Sequence, residues 1–165
     1  MRFFILVIFT LLFLNAADTL EVKALNFEAD ENNGIIELNN NVEIKKGQDE
    51  LYASKVVIHI DKNRIPLNYS AYGGVTFVVV TKDNRKLHGK ANEVFYNATN
   101  GEYKLIGDGE VIEDNKINSV TGEEIIINND IGYVNITGTS NKPAKLIFQL
   151  EDSERKIEDN NATNN

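Results

Sequence analysis

The sequence predicts an all-β fold built from repeated two-strand units, and three observations support this. Beyond residue 17 the apolar side chains recur at every second position, the period of a half-buried strand, without a helical stripe. Turn-forming groups such as Asn32-Asn33-Gly34 and Lys82-Asp83-Asn84 interrupt these segments every 8 to 15 residues. A short phrase of aliphatic and small residues also recurs along the chain. Regular short strands with regular turns are typical of a sandwich, roll or barrel.

The predicted strands follow one another closely along the chain. The first spans residues 20–29, and the last spans residues 144–150. The segments between them that are rich in Val, Ile, Tyr and Phe are 34–45, 51–60, 72–81, 87–96, 103–113, 120–127 and 133–137. Pro66 and Pro143 fall where strands would begin, a position that tolerates a residue without an N–H group.

The first 17 residues predict a secretory signal peptide. Met1-Arg2 is a short positive region, residues 3–14 are almost wholly apolar, and Asn15-Ala16-Ala17 offers small residues to a signal peptidase. The apolar run is shorter than the roughly 20 residues of a membrane-spanning helix. We therefore expect cleavage and a periplasmic location, with an uncleaved membrane anchor as the alternative.

Composition narrows the class of the exported chain. The full sequence has 165 residues, a formal charge of -8 and no cysteine, and the absence of disulfides in an exported protein favours a bacterial source. Such an acidic protein is not expected to bind nucleic acid or anionic membrane surfaces. We expect one β-domain over residues 18–150. Residues 151–165 are charged and then Asn-rich, which predicts a disordered tail.

An internal repeat organises the predicted strands. Each copy has an aliphatic residue, a spacer, then Ala or Gly, and a second aliphatic residue five positions later. The three copies are Leu51-Tyr52-Ala53 with Ile58, Leu87-His88-Gly89 with Val94, and Val120-Thr121-Gly122 with Ile127. The strand before each copy contains Val42, Val75 or Val111. We interpret the repeat as stacked two-strand units that build one elongated core, and chance similarity among alternating strands is the alternative.

These phrases resemble a known family, the OstA-like or LptA domain. The matching residues are Gly34-Ile35-Ile36-Glu37-Leu38, Asn41-Val42-Glu43-Ile44 and Leu51-Tyr52-Ala53. The family's Gly-Asn-Val phrase has counterparts at Asn40-Asn41-Val42, Gly73-Gly74-Val75 and Gly107-Asp108-Gly109-Glu110-Val111. The resemblance covers about residues 20–150.

The resemblance implies a twisted β-jellyroll (OstA-like) that is open at both ends. It implies a binding protein that holds the acyl chains of lipopolysaccharide (lipid A) in an apolar interior, with no cofactor. It also implies head-to-tail assembly of the protein with itself, in a bridge from an LptC-like inner-membrane protein to an LptD-like outer-membrane translocon. The chain is short for an LptD-like protein. Its short apolar run and the Ala16-Ala17 site favour the LptA type, and an anchored LptC-like relative is the alternative.

Alternation along the strands predicts which residues face the interior and would contact lipid. The fifteen candidates are Ile36, Leu38, Val42, Ile44, Val56, Ile58, Val75, Phe77, Val94, Leu105, Val111, Ile125, Ile127, Val134 and Ile136. Ordinary core packing is the alternative for each of them. Each methylene of a bound acyl chain would contribute about 0.8 kcal/mol on burial, so apolar area alone could hold a lipid.

The first and last strands are candidates for assembly through their edges. An exposed strand edge can accept a strand from a second chain, with backbone hydrogen bonds supplying affinity. The edge candidates are Val22, Ala24 and Phe27 in the first strand and Leu146, Phe148 and Leu150 in the last. The alternative for these strands is that both simply complete an intramolecular sheet. A second hypothesis for the whole chain is a β-repeat protein that assembles but carries no lipid.

The remaining motifs do not predict an enzyme. His59 and His88 lie far apart in sequence without a cluster of metal-ligand type, so we expect no metal site. The serines lie in no recognisable nucleophile motif. Asp159 to Thr163 includes an Asn-x-Thr sequon at Asn161 with an acid two residues earlier, which resembles a bacterial glycosylation acceptor. A chance match in an Asn-rich tail is the alternative at Asn161.

Overall fold

The computed structural model describes residues 19–81, 84–128 and 131–149, and the regular structure in these ranges is entirely β-strand. The predicted signal peptide, the tail with its sequon at Asn161, and the edge candidate Leu150 lie outside the described residues. The strands are β1 (Leu20–Lys23), β2 (Asn26–Asp30), β3 (Ile35–Lys46), β4 (Asp49–Ile60), β5 (Pro66–Val80), β6 (Lys86–Asn97), β7 (Glu102–Glu113), β8 (Ser119–Asn128), β9 (Tyr133–Thr137) and β10 (Lys145–Ile147). The prediction of an all-β fold is confirmed.

The strand boundaries differ from prediction at both ends of the chain. The predicted first strand is two strands, because the chain leaves the ladder at Ala24 and Leu25, where the Leu25 N–H donates to the Asn40 carbonyl oxygen at 3.0 Å. β5 begins at Pro66, six residues before the predicted start. β10 has only three residues, so the predicted last strand is too long. The placement of Ala24 and Phe148 within strands was therefore wrong.

All ten strands form one antiparallel sheet whose two edges are alike. The long strands β3 to β8 pair in chain order, each with the next. Two short strands cover the outer side of β3, since β1 pairs with its residues 43–46 and β2 with its residues 35–39. Two short strands cover β8 in the same way, namely β10 at residues 119–121 and β9 at residues 124–128. Among the described residues the sheet is therefore unclosed, with a free edge at each end.

A two-residue bulge lies in the middle of every second long strand. The bulges are Asn40-Asn41 in β3, Gly73-Gly74 in β5 and Gly107-Asp108 in β7, and all six residues have positive φ. The ladder shifts register at each of these places. Asn, Asp and Gly are the residues that adopt the left-handed region most readily, and bulges bend and twist a strand. The Gly-Asn-Val phrases of the sequence are thus the bends of the sheet.

The strand pairing next to the bulges differs from the alignment of the predicted internal repeat. The residue after each bulge pairs with a small residue on the next strand, giving Val42 with Ala53, Val75 with Ala91 and Gly109 with Gly122. The predicted repeat placed Gly89 where the structure has Ala91, and Val111 where it has Gly109. Each of these two predictions was therefore wrong by two residues. A shift of two keeps a side chain on the same face of a strand, so the predicted inner face is unaffected.

Because the sheet is bent at the bulges, its two halves face each other and bury the apolar side chains between them. Leu38 and Val42 lie on one face of β3, on either side of the bulge, and are 3% and 2% exposed. No helix is present in the described ranges to cover them. The two arms of the bent sheet must therefore pack against each other, and together they enclose one apolar cluster.

Candidate functional site: the apolar interior and the sheet edges

Four rows of side chains cross the inner face, perpendicular to the strands. The bulges divide the sheet into two arms, and the first arm contains the first half of β3. On this arm the row near the strand ends is called the first rim row, and the row next to the bulges is called the first bend row. The first rim row is Ala29, Ile36, Ile58, Tyr69, Tyr96, Tyr103, Ile127 and Val134. The first bend row is Phe27, Leu38, Val56, Ala71, Val94, Leu105, Ile125 and Ile136.

The other arm carries two rows of the same kind. The second bend row is Val42, Ala53, Val75, Ala91, Gly109 and Gly122, and it lies immediately beyond the bulges. The second rim row is Val22, Ile44, Leu51, Phe77, Gly89, Val111, Val120 and Leu146. Each rim row runs through eight strands from one edge of the sheet to the other.

Exposure separates the rim rows from the bend rows. Between β3 and β7, every member of both bend rows is buried. Every member of the two rim rows is only partly buried or is exposed. The interior is therefore closed by its own side chains along the bend, and it opens toward the strand ends on both arms.

The structure places all fifteen predicted lining residues on this inner face, with unequal burial. The buried ones are Leu38, Val42, Val56, Val75, Val94, Leu105 and Ile125. The partly buried ones are Ile36, Ile44, Ile58, Phe77, Val111, Ile127 and Ile136. Val134 pairs with Ile127 on the inner face but is 55% exposed, because none of the described strands lies beyond β9.

The rows end in exposed apolar side chains at both edges of the sheet. Phe27, at the β2 end of the first bend row, is 50% exposed. Leu146, at the β10 end of the second rim row, is 58% exposed. Val22 in β1 packs against the core, as does Ala24 in the break after it. Phe148 is also exposed but follows the last residue of β10. Within the part of the chain that the structure describes, both ends of the core are thus uncovered.

The interior also contains an aromatic stack that the sequence analysis missed. Tyr69 and Tyr96 have ring centroids 5.9 Å apart, and Tyr96 stacks on Tyr103 at 4.3 Å with an interplanar angle of 25°. Burial, with a smaller contribution from Tyr96, raises the pKa of Tyr69 above its ordinary value. Alternation could have placed each tyrosine on the inner face, because each lies two residues from an inner residue of its strand, Ala71, Val94 or Leu105, but it could not have shown their stacking.

The opposite face of the sheet carries most of the charged side chains, beside apolar ones such as Phe95 and Ile126, and ion pairs join its neighbouring strands. Lys55 of β4 bonds Glu37 of β3 at 2.8 Å, and Lys104 of β7 bonds Glu124 of β8 at 2.6 Å. The hydrogen bond from Lys55 lowers the pKa of Glu37 below its ordinary value. Such partly exposed pairs contribute little stability, but they mark which face meets water.

No catalytic or metal site emerges in the part of the chain that the structure describes. His59 and His88 are exposed on β4 and β6, and the described residues hold no group of three metal-ligating side chains. The same ranges contain no helix long and apolar enough to cross a membrane.

The described strands form an unclosed antiparallel sheet that is bent around an apolar interior, and this arrangement defines the class of the open β-jellyrolls. The crystal structure of LptH, described as the LptA homologous periplasmic component of the conserved lipopolysaccharide transport device from Pseudomonas aeruginosa, has the same fold. It superposes with a TM-score of 0.66 at 19% identity, over 80% of this chain and 96% of that one. The predicted twisted jellyroll is thereby confirmed.

The sequence match extends the likeness from fold to family. The family model described as LptA/(LptD N-terminal domain) LPS transport protein matches residues 21–133. The chain therefore belongs to this family of lipopolysaccharide-transport proteins, which confirms the resemblance found in the sequence. A comparison with curated proteins finds no match.

Proposed function

We propose that this protein is a periplasmic carrier that moves lipopolysaccharide from the inner to the outer membrane, with the acyl chains held between the two arms of the sheet. The observation that carries the proposal is the pair of rim rows, which are apolar but only partly buried. An apolar surface that is neither closed nor covered marks a binding site. Residues of the bend rows pack the fold, and residues of the rim rows contact the lipid.

The length of the rim rows suits an extended hydrocarbon ligand. Neighbouring strands lie about 4.8 Å apart, so a row through eight strands is about 34 Å long. Each acyl methylene removed from water contributes about 0.8 kcal/mol, so a few chains along a row need little polar recognition. A carrier built in this way requires no catalytic group, in agreement with a transport family.

Assembly through the two free edges would extend the rows from one molecule to the next. Residues 20–31, which include β1 and β2, contain four carboxylates and one lysine. Residues 131–149, which include β9 and β10, contain Lys142 and Lys145 and no carboxylate. Opposite charges favour contact between unlike edges, and like charges disfavour contact between two copies of the same edge. Head-to-tail growth follows, with the end molecules meeting the related domains of LptC-like and LptD-like partners.

One observation favours a second function, that of an assembly protein without a lipid cargo. The bend rows are filled by the chain's own side chains, with Val75 and Leu105 each 1% exposed. Such a core is complete without a ligand. In that case the edges would still associate, but the rim rows would serve only the contact between copies.

Displacement of a hydrophobic fluorescent probe by purified lipopolysaccharide separates the two functions. The carrier should show saturable displacement, and the same polysaccharide stripped of its acyl chains should displace nothing at equal concentration. Normal circular dichroism together with no saturable displacement would reject the carrier and leave the assembly protein. Equal displacement by the deacylated molecule would place recognition in the sugar and would also overturn the proposal.

A further inference from the structure

The tyrosine stack occupies an unusual position in the first rim row. Its members come from the three consecutive strands β5, β6 and β7, in the middle of the row. The row is aliphatic on both sides of them, with Ile36 and Ile58 toward one edge and Ile127 and Val134 toward the other. An isoleucine would fill these places with the same apolar surface, so the sequence here adds three hydroxyl groups to an otherwise hydrocarbon lining.

The hydroxyl groups of Tyr69 and Tyr96 are accessible to water. The described part of the chain offers no hydrogen-bond partner to the hydroxyls of Tyr69 and Tyr96, whose recorded contacts are between rings. In that same part no buried side-chain oxygen lacks a partner, so these two hydroxyls are not buried. Tyr103 is itself 38% exposed. Tyrosine places an apolar body and a polar tip at such boundaries, as it does at membrane interfaces.

We propose that Tyr69, Tyr96 and Tyr103 bind the polar boundary of lipid A, where the acyl chains join the glucosamine sugars. This inference rests on the proposed function, because it takes lipid A to be the ligand of the interior. The stacked rings cover the upper parts of the acyl chains, and the hydroxyls donate to the acyl carbonyl oxygens and bond the sugar hydroxyls. The stack thus sets the depth of the lipid between the arms.

The uncharged side chains of the first rim row suit the acyl carbonyl and sugar oxygens of lipid A better than its phosphates. No Lys or Arg belongs to the first rim row, so the row does not suit the lipid A phosphates. Neutral hydroxyl donors suit neutral carbonyl and sugar oxygens instead. The centroid separations of 4.3 and 5.9 Å follow the spacing of the strands, so the three tyrosines form a line across the sheet rather than one point.

The test replaces the three tyrosines together with phenylalanine, which keeps the rings and removes only the hydroxyls. Each lost hydrogen bond should weaken binding of purified hexa-acylated lipid A by about three- to tenfold. Binding of a plain long-chain fatty acid should stay within about twofold, since it uses only the apolar rows. The control is Tyr72→Phe, a tyrosine whose ring meets Phe95 edge-on on the outer face and which should bind both ligands normally.

Two results separate the failure of this inference from failure of the proposed function. If the native protein does not bind lipid A, the proposed function fails first. If the native protein binds lipid A and the triple Phe variant binds it equally well, the hydroxyls have no role and this inference is wrong. Tyrosine emission gives an independent readout because the chain has no Trp. Lipid A should change the emission of the Tyr72→Phe protein, and unchanged emission on binding would also contradict the inference.

Discussion

The ring of Phe77 lies directly over Gly89, its cross-strand partner in the second rim row. A Cβ atom on Gly89 would collide with three carbon atoms of this ring. The glycine therefore serves to seat a large aromatic side chain flat against the neighbouring strand. This close approach fixes the position of an aromatic ring on the lining of the second arm.

Gly89→Ala should lower the free energy of unfolding by roughly 1–3 kcal/mol, because the ring must leave its rotamer or the strands must separate. Chemical denaturation with a constant m-value measures the change. Phe77→Leu in the same protein should recover part of the loss by removing the colliding ring, which a double-mutant cycle detects. A Gly89→Ala protein as stable as the native one would show that the ring does not occupy this space.

A second prediction compares a bend-row residue with an edge residue of the same face. Ile125 is fully buried, so Ile125→Ala should cost about 2–5 kcal/mol through lost burial and a cavity. Val134→Ala should change stability by less than about 0.5 kcal/mol, since its side chain is mainly in water. Thermal unfolding of both variants measures the difference. An equal loss of unfolding free energy in the two variants would mean that the side chain of Val134 is buried in solution.

A third prediction tests the direction of assembly. Phe27→Asp places a charge at the β2 edge, and Leu146→Asp places one at the β10 edge, so each variant keeps one native edge. Each variant alone should be a monomer by light scattering, whereas an equimolar mixture should form a dimer of the two. Higher salt should weaken that dimer by screening the opposite charges of its edges. If Leu146→Asp alone still self-associates, like edges pair and head-to-tail growth is wrong.

A fourth prediction concerns acid stability at the end of β7. Asn118 donates to Glu113 at 2.7 Å, and this hydrogen bond lowers the pKa of Glu113, with a further contribution from Lys116. A lowered folded-state pKa means that stability is present above the ordinary value of about 4.3 and is lost as the pH falls below it. Glu113→Gln should therefore flatten the fall in unfolding free energy over that range. Glu28→Gln, an exposed change of the same charge, is the control, and identical curves for the two variants would contradict this account.

Much of the fold could be predicted from the sequence because the apolar period of two persists through nearly every strand. An error of two residues, as with Gly89 and Val111 in the repeat, still leaves the residue on the correct face. The Gly-Asn-Val phrases lie at the bulges, since few residues other than Gly, Asn and Asp adopt positive φ, although the sequence was not interpreted in this way.

The features that could not be predicted depend on which strands lie side by side, and the sequence of one strand does not show this. The exposure of Val134 arises because no strand of the described ranges lies beyond β9, and alternation carries no information about that. The tyrosine stack exists because three strands bring Tyr69, Tyr96 and Tyr103 into one register. Tyrosine occurs on both faces of sheets, so a ladder of three is visible only once the pairing is known.

The most direct test of the proposed function asks on which face of the sheet the lipid lies. Ile126 and Ile127 are adjacent, chemically identical and both partly buried, but Ile127 lies on the inner face and Ile126 on the outer. A photoreactive benzophenone side chain at either position, followed by irradiation with lipopolysaccharide and detection of the adduct, compares the two faces. The carrier predicts strong adducts from position 127 and few from position 126. Equal adducts from both positions, or more from position 126, would contradict binding of the acyl chains between the arms.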